Sequence, residues 1–101
     1  MSIERETQRR RVLREGKVVF GNFAIVYDCV VRDMSDTGAK VQIESVASVP
    51  DEFYLYLPSQ RTMYKSAVRW RKAGQLGVHF AGEPVEVTQS SDPRFARFRM
   101  M

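Results

Sequence analysis

One cysteine and one histidine are all that 101 residues offer of the side chains most used for metal binding and covalent catalysis. With Cys29 alone, no intrachain disulfide can form, and a reducing cytoplasm is the expected setting. With His79 alone, there is neither a zinc ligand set nor a Ser/His/Asp constellation. No G-x-x-x-x-G-K-S loop is present to cradle a nucleoside triphosphate. The apolar runs are all short, far below the ~20 residues needed to span a bilayer. A polar, charged start also argues against a secretory leader. These absences predict a cytoplasmic binding protein with no catalytic residues, no metal, no cofactor and no membrane span.

What is there fits one small domain. Hydrophobic residues are 44% and charged residues 28%, ordinary for a globular chain, and this length buries one modest core. The net charge of +4 favours an anionic partner. It is concentrated in two segments. Residues 5–17 hold Arg5, Arg9, Arg10, Arg11, Arg14 and Lys17, and residues 61–72 hold five cations with no acid. Residues 33–57 between them are acidic. That layout suggests a local anion site more than a uniformly basic nucleic-acid surface.

Residues 1–16 lack apolar periodicity and read as a flexible Arg-rich arm, because Ile3, Val12 and Leu13 cannot cover a helical face. From Lys17 a period of two sets in and predicts a β-barrel over residues 17–84. Gly21-Asn22 signals a hairpin and Asp36-Thr37-Gly38 a turn. In the strand after the hairpin, Ile25, Tyr27, Cys29 and Val31 share one face. Ala39, Val41 and Ile43 alternate with Lys40, Gln42 and Glu44. Phe53, Leu55 and Leu57 alternate with Tyr54 and Tyr56, which are expected outside, where they could mark a protein contact. Tyr64, Val68 and Trp70 are expected inside, and Leu76, Val78 and Phe80 line the last strand, with Gly77 and His79 outside. Six short strands at this spacing suit an all-β barrel, whose closure removes exposed edges. Residues 85–101 read as a tail or short helix, with Asp92 as N-cap, Pro93 first, and Phe95 and Phe98 on one face.

Two motifs bear on function. Arg10-x-x-x-Arg14 precedes the barrel, and Asp33-x-Ser35-x-x-Gly38 sits at a strand-to-strand turn. Further on, Val68-Arg69-Trp70-Arg71 is followed by Gly77-Val78-His79-Phe80. In this order the chain from Arg9 to Phe80 resembles the PilZ domain family. The resemblance implies a six-stranded antiparallel barrel, often with a C-terminal helix, that binds the second messenger cyclic di-GMP. It assigns the ligand to Arg10, Arg14, Asp33, Ser35 and Gly38. Arg9 beside the first motif implies two stacked ligand molecules per chain. Arg11 and Trp70 are further candidates, Trp70 reading first as core because it shares a face with Val68.

The chemistry of the ligand agrees. An arginine fork can clasp a phosphodiester or the guanine O6/N7 edge through two parallel bonds. A carboxylate such as Asp33 can accept from guanine N1–H and N2–H, and Ser35 supplies a donor and an acceptor. The expected function is a receptor that orders its arm over the ligand and relays the signal to an unidentified protein effector, in motility, biofilm formation or a similar process. Alternatives are a small-barrel nucleic-acid binder and a PilZ-like adaptor that binds only protein.

Overall fold

A computed structural model describes residues 10–100, and of Arg10, Arg11 and Val12 the backbone alone. Seven strands follow one another: β1 (Arg10–Phe20), β2 (Ile25–Met34), β3 (Gly38–Gln42), β4 (Glu52–Leu57), β5 (Thr62–Lys72), β6 (Gln75–Phe80) and β7 (Val85–Glu86). All pairings are antiparallel, in the order β4-β1-β2-β3-β6-β5, and β4 pairs with β5 to close a six-stranded barrel. Strand β7 adds a short pairing to the start of β5. The expected fold class therefore stands, and the chain after β7 ends in a 3-10 helix, Pro93–Met100.

The barrel interior is filled by the alternating apolar positions: Val18, Cys29, Val31, Val41, Leu55, Leu57, Leu76 and Val78 are buried together. Burying this face drives closure, because each strand alone exposes half its apolar surface.

A second core lies outside the wall and was not expected. Val19, Tyr56 and Met63 on the outer face of β1, β4 and β5 pack with Phe23, Val87, Phe95 and Phe98. Tyr56, expected exposed on the outer face, is fully buried, and its hydroxyl donates to the Phe98 carbonyl at 2.7 Å. Strict alternation places Tyr56 outside the barrel correctly. It cannot show that the C-terminal helix returns to cover that face. Asp92 does cap this helix, accepting from the Arg94 amide at 2.9 Å.

The β1–β2 hairpin turns through Gly21, Asn22 and Phe23, all left-handed, with φ of 64°, 58° and 69°. For a bulky residue such as Phe23 this backbone is strained. The strain is offset by its ring, which stacks on Tyr54 at 5.0 Å and meets Phe95 edge-on at 5.3 Å.

The boundary of the N-terminal arm needs correcting. Residues 10–16 are strand, paired along β2 from Arg10↔Met34 to Gly16↔Cys29. Apolar periodicity was the wrong test there, since a strand satisfies its backbone groups by pairing and needs no continuous apolar face. A bulge also breaks the alternation, with Val12 and Leu13 facing the single residue Arg32. Arg9 and the residues before it lie outside the described residues.

Candidate functional site

Three strands carry a β-bulge, and together the bulges shape one patch of the wall. On β2, Val31 pairs with Val41 but Asp33 with Lys40, so Arg32 is an extra residue. Without it Asp33 would follow Val31 into the core. With it, Asp33 turns to the outer face and forms an ion pair with Lys40 at 3.1 Å. On β5, Val68 pairs with Val78 but Trp70 with Gly77, so Arg69 is extra. This second bulge throws Trp70 outward and Arg71 toward the end of the barrel, where it binds the Val46 and Val49 carbonyls and Asp51. The core reading of Trp70 is thereby overturned: the residue is 38% exposed. Bulges re-aim side chains in this way beside functional sites, and no composition signal marks them.

Trp70 lies over Gly77 so closely that a Cβ on that glycine would collide with the indole ring. Lys72 stands 5.3 Å above the same ring. Gly38 faces a comparable limit, since a Cβ there would meet the Val78 carbonyl. The two glycines let strands β3, β5 and β6 form a shelf whose floor is backbone. It holds a shallow cavity of about 260 Å³ lined by Ser35, Gly38, Lys40, Trp70, Gly77 and His79 among others.

The turn that ends β2 is closed by the Ser35 amide on the Gly38 carbonyl at 2.9 Å. The Ser35 hydroxyl accepts from the Thr37 amide at 3.2 Å and lies 3.3 Å from the Thr37 hydroxyl. Ser35 thus holds the corner as a side-chain turn mimic and stays on the rim of the shelf. The structural and ligand-binding readings of this residue are compatible.

The two sequence motifs meet. Arg10 pairs with Met34 and Arg11 with Asp33, so the start of β1 runs alongside the corner that carries Asp33 and Ser35. Arg14, paired with Val31, is half-buried on the face that leads into the barrel. Burial raises the Tyr64 phenol above its usual range, and the Arg14 guanidinium opposes that shift. Arg14 makes no ion pair among the described residues. Sequence reasoning missed Lys40, Arg69 and His79 as parts of this patch. Each is unremarkable in the chain and gains its place only through strand register.

Among the described residues, no three His, Cys, Asp or Glu side chains are grouped to hold a metal ion. No helix among them is long and apolar enough to cross a membrane. The arrangement offers a backbone floor, one flat aromatic face, an ion-paired carboxylate and several cations, which suits a planar anionic ligand.

No curated protein matches the sequence. The family model of the PilZ domain matches residues 4–91, which takes in every strand of the barrel and both motifs. The chain therefore belongs to the PilZ domain family, a family of cyclic di-GMP receptor domains that bind rather than catalyse.

Proposed function

We propose that this protein is a cyclic di-GMP receptor whose ligand lies across the Asp33–Gly38 corner, between the start of β1 and the shelf of β3, β5 and β6. The observation that carries the reading is the register of β1 on β2, which sets Arg10 and Arg11 opposite Met34 and Asp33. Arg10 and Arg14 supply guanidinium forks for phosphodiester and guanine O6/N7. Asp33 exchanges Lys40 for the N1–H and N2–H of a guanine, and the released Lys40 turns to phosphate. Ser35 contributes its hydroxyl from the rim, and Gly38 keeps the floor low enough for ligand to approach the backbone. Trp70 offers its exposed face to a base. Arg9 and Arg11 reach a second, stacked cyclic di-GMP.

Charge-assisted hydrogen bonds of this kind contribute about 1.5–3 kcal/mol each, enough for a small site to bind a dinucleotide. Bound ligand ties the chain ahead of β1 to the barrel wall, and the joined surface is what an effector protein reads. An unpaired, buried Cys29 suits the reducing cytoplasm for this work.

Calorimetric titration with cyclic di-GMP, with GTP and GMP as controls, tests the assignment. Saturation at two ligands per chain, with no heat from the mononucleotides, is expected. Absence of binding would overturn the receptor reading. Saturation at one ligand would remove the stacked pair alone.

A further inference from the structure

The barrel wall is incomplete on one side, away from the shelf. Strand β2 pairs with β1 along its whole length, from Arg10↔Met34 to Phe20↔Ile25. With β3 it pairs only over Val30–Met34. At the end of β3 the Ile43 amide donates to the Gly74 carbonyl at 2.9 Å, which draws the chain away from β2. The strands splay and leave a groove of about 620 Å³ between Asp28–Val30 and Gln42–Glu44, closed at one end by Gly74. Among the described residues, the far edge of Ile25–Cys29 has no strand partner.

In a strand, alternate residues turn their N–H and C=O groups away from the neighbour they pair with. Five residues span about 17 Å, so this edge offers a short ladder of unsatisfied groups. Exposed edges are usually blunted by lysine or proline. The run Ile25-Val26-Tyr27-Asp28-Cys29-Val30 contains neither, and Ile25 and Val30 are 40% and 38% exposed. An extended segment added to a free edge is a recurrent mode of peptide recognition.

The local charge selects the occupant. Asp28 stands at the edge and the exposed Glu44 across the groove. Two cations stand near it: Lys17, shared by Asp28 at 2.6 Å and Glu15 at 3.3 Å, and Arg32, whose guanidinium donates to Gln42 on the groove wall at 2.6 Å. Three carboxylates, Asp28, Glu44 and Glu15, still outnumber these two cations, so in a chain of net charge +4 the locale is acidic. A second copy paired through the same edge would bring two such acidic edges together, which disfavours a homodimer. We propose that Ile25–Cys29 accepts an extended segment of a partner protein that carries lysine or arginine at alternate positions. The segment adds as a strand between β2 and the end of β3.

Amide spectra and hydrogen exchange of the full chain test this with a blocked heptapeptide of alternating lysine and valine. Its glutamate counterpart and a version N-methylated at alternate residues serve as controls. The lysine peptide is expected to shift the amides of residues 25–29 and to protect the alternate ones that face away from β1, while the glutamate and N-methylated peptides do not. Glu44→Lys, which disturbs no ion pair described here, should weaken binding about fivefold with the amide spectrum otherwise intact. Edge amides that stay unshifted, or equal binding of the acidic peptide, would overturn the proposal. So would concentration-dependent protection of the same amides without peptide, which would make a second copy the occupant.

Discussion

The indole of Trp70 lies against the backbone of Gly77 with no room for a Cβ between them. One face of the ring is thus covered by protein, and the residue as a whole stays 38% exposed. A purine that displaces the Lys72 ammonium, now 5.3 Å over the ring, and stacks there completes a sandwich. Stacking of a base on an aromatic side chain contributes about 1–3 kcal/mol, so Trp70→Ala should weaken cyclic di-GMP binding roughly 5- to 150-fold. Trp70 is the only tryptophan in the chain, so its fluorescence reports on this patch alone. Ligand should quench it. Gly77→Ala should displace the indole and lower both the quenching and the affinity. Unchanged affinity in Trp70→Ala would remove the stacking role.

Arg10 and Arg14 separate binding from folding. Both lie in β1, where main-chain pairing with β2 is independent of side-chain identity. Arg10→Ala and Arg14→Ala should each lower affinity by about 100-fold or more, the loss of a bidentate charged contact. Stability should move by less than ~1 kcal/mol, since Arg14 is not among the buried core residues and the β1–β2 pairing at Arg10 is main-chain. Titration paired with thermal unfolding checks this. Ordinary affinity in both variants would sink the site assignment.

The elements that alternate cleanly were legible in the sequence. Ala39 and Val41 in β3, Ile43 just beyond its end, and Phe53, Leu55 and Leu57 in β4 point where period two puts them. The motifs were legible too, since Asp33, Ser35 and Gly38 are turn residues that announce a corner. The orientation of Trp70 and Asp33 was not. Each follows a bulge of one extra residue, and one residue reverses every later side chain on the strand. The burial of Tyr56 was hidden for another reason: it depends on a helix more than 35 residues further along the chain. Strand extent was the third miss, because Arg10–Gly16 form strand by pairing with β2 rather than by composition.

The C-terminal helix is pinned to the barrel by a buried hydrogen bond, and this can be tested by removing one oxygen. Tyr56→Phe leaves the Phe98 carbonyl without its donor in the outer core. An unsatisfied buried acceptor costs about 1–3 kcal/mol. For a domain of this length each kcal/mol lowers Tm by roughly 4–8 °C. Tyr54→Phe is the control, because the Tyr54 hydroxyl has no hydrogen bond among the described residues, and it should unfold at the parent temperature. Equal Tm for both variants would show that the helix is held by apolar packing alone.

The Cys29 thiol is buried in the barrel core. Burial, the largest cause, raises its pKa from 9.0 to about 12, and the nearby Asp28 carboxylate adds to the shift. The nucleophilic form is the thiolate, so native Cys29 should be inert to a disulfide reagent at pH 8. Labelling should proceed only as fast as the chain opens, and at full rate in denaturant. The sign of the pH effect follows from the folded pKa lying above the unfolded one. The neutral thiol favours the folded state, so its contribution is whole below pH 9 and is lost as pH rises toward 12. Lys17 acts in the same direction. Its hydrogen bond to Asp28 raises its pKa above 10.5, so that ion pair is also lost on the alkaline side. Denaturant midpoints should therefore fall above pH 9 more steeply in the parent than in Cys29→Ala. Identical alkaline limbs, or complete labelling of the native protein within mixing time at pH 8, would mean that the thiol is not held inside the wall.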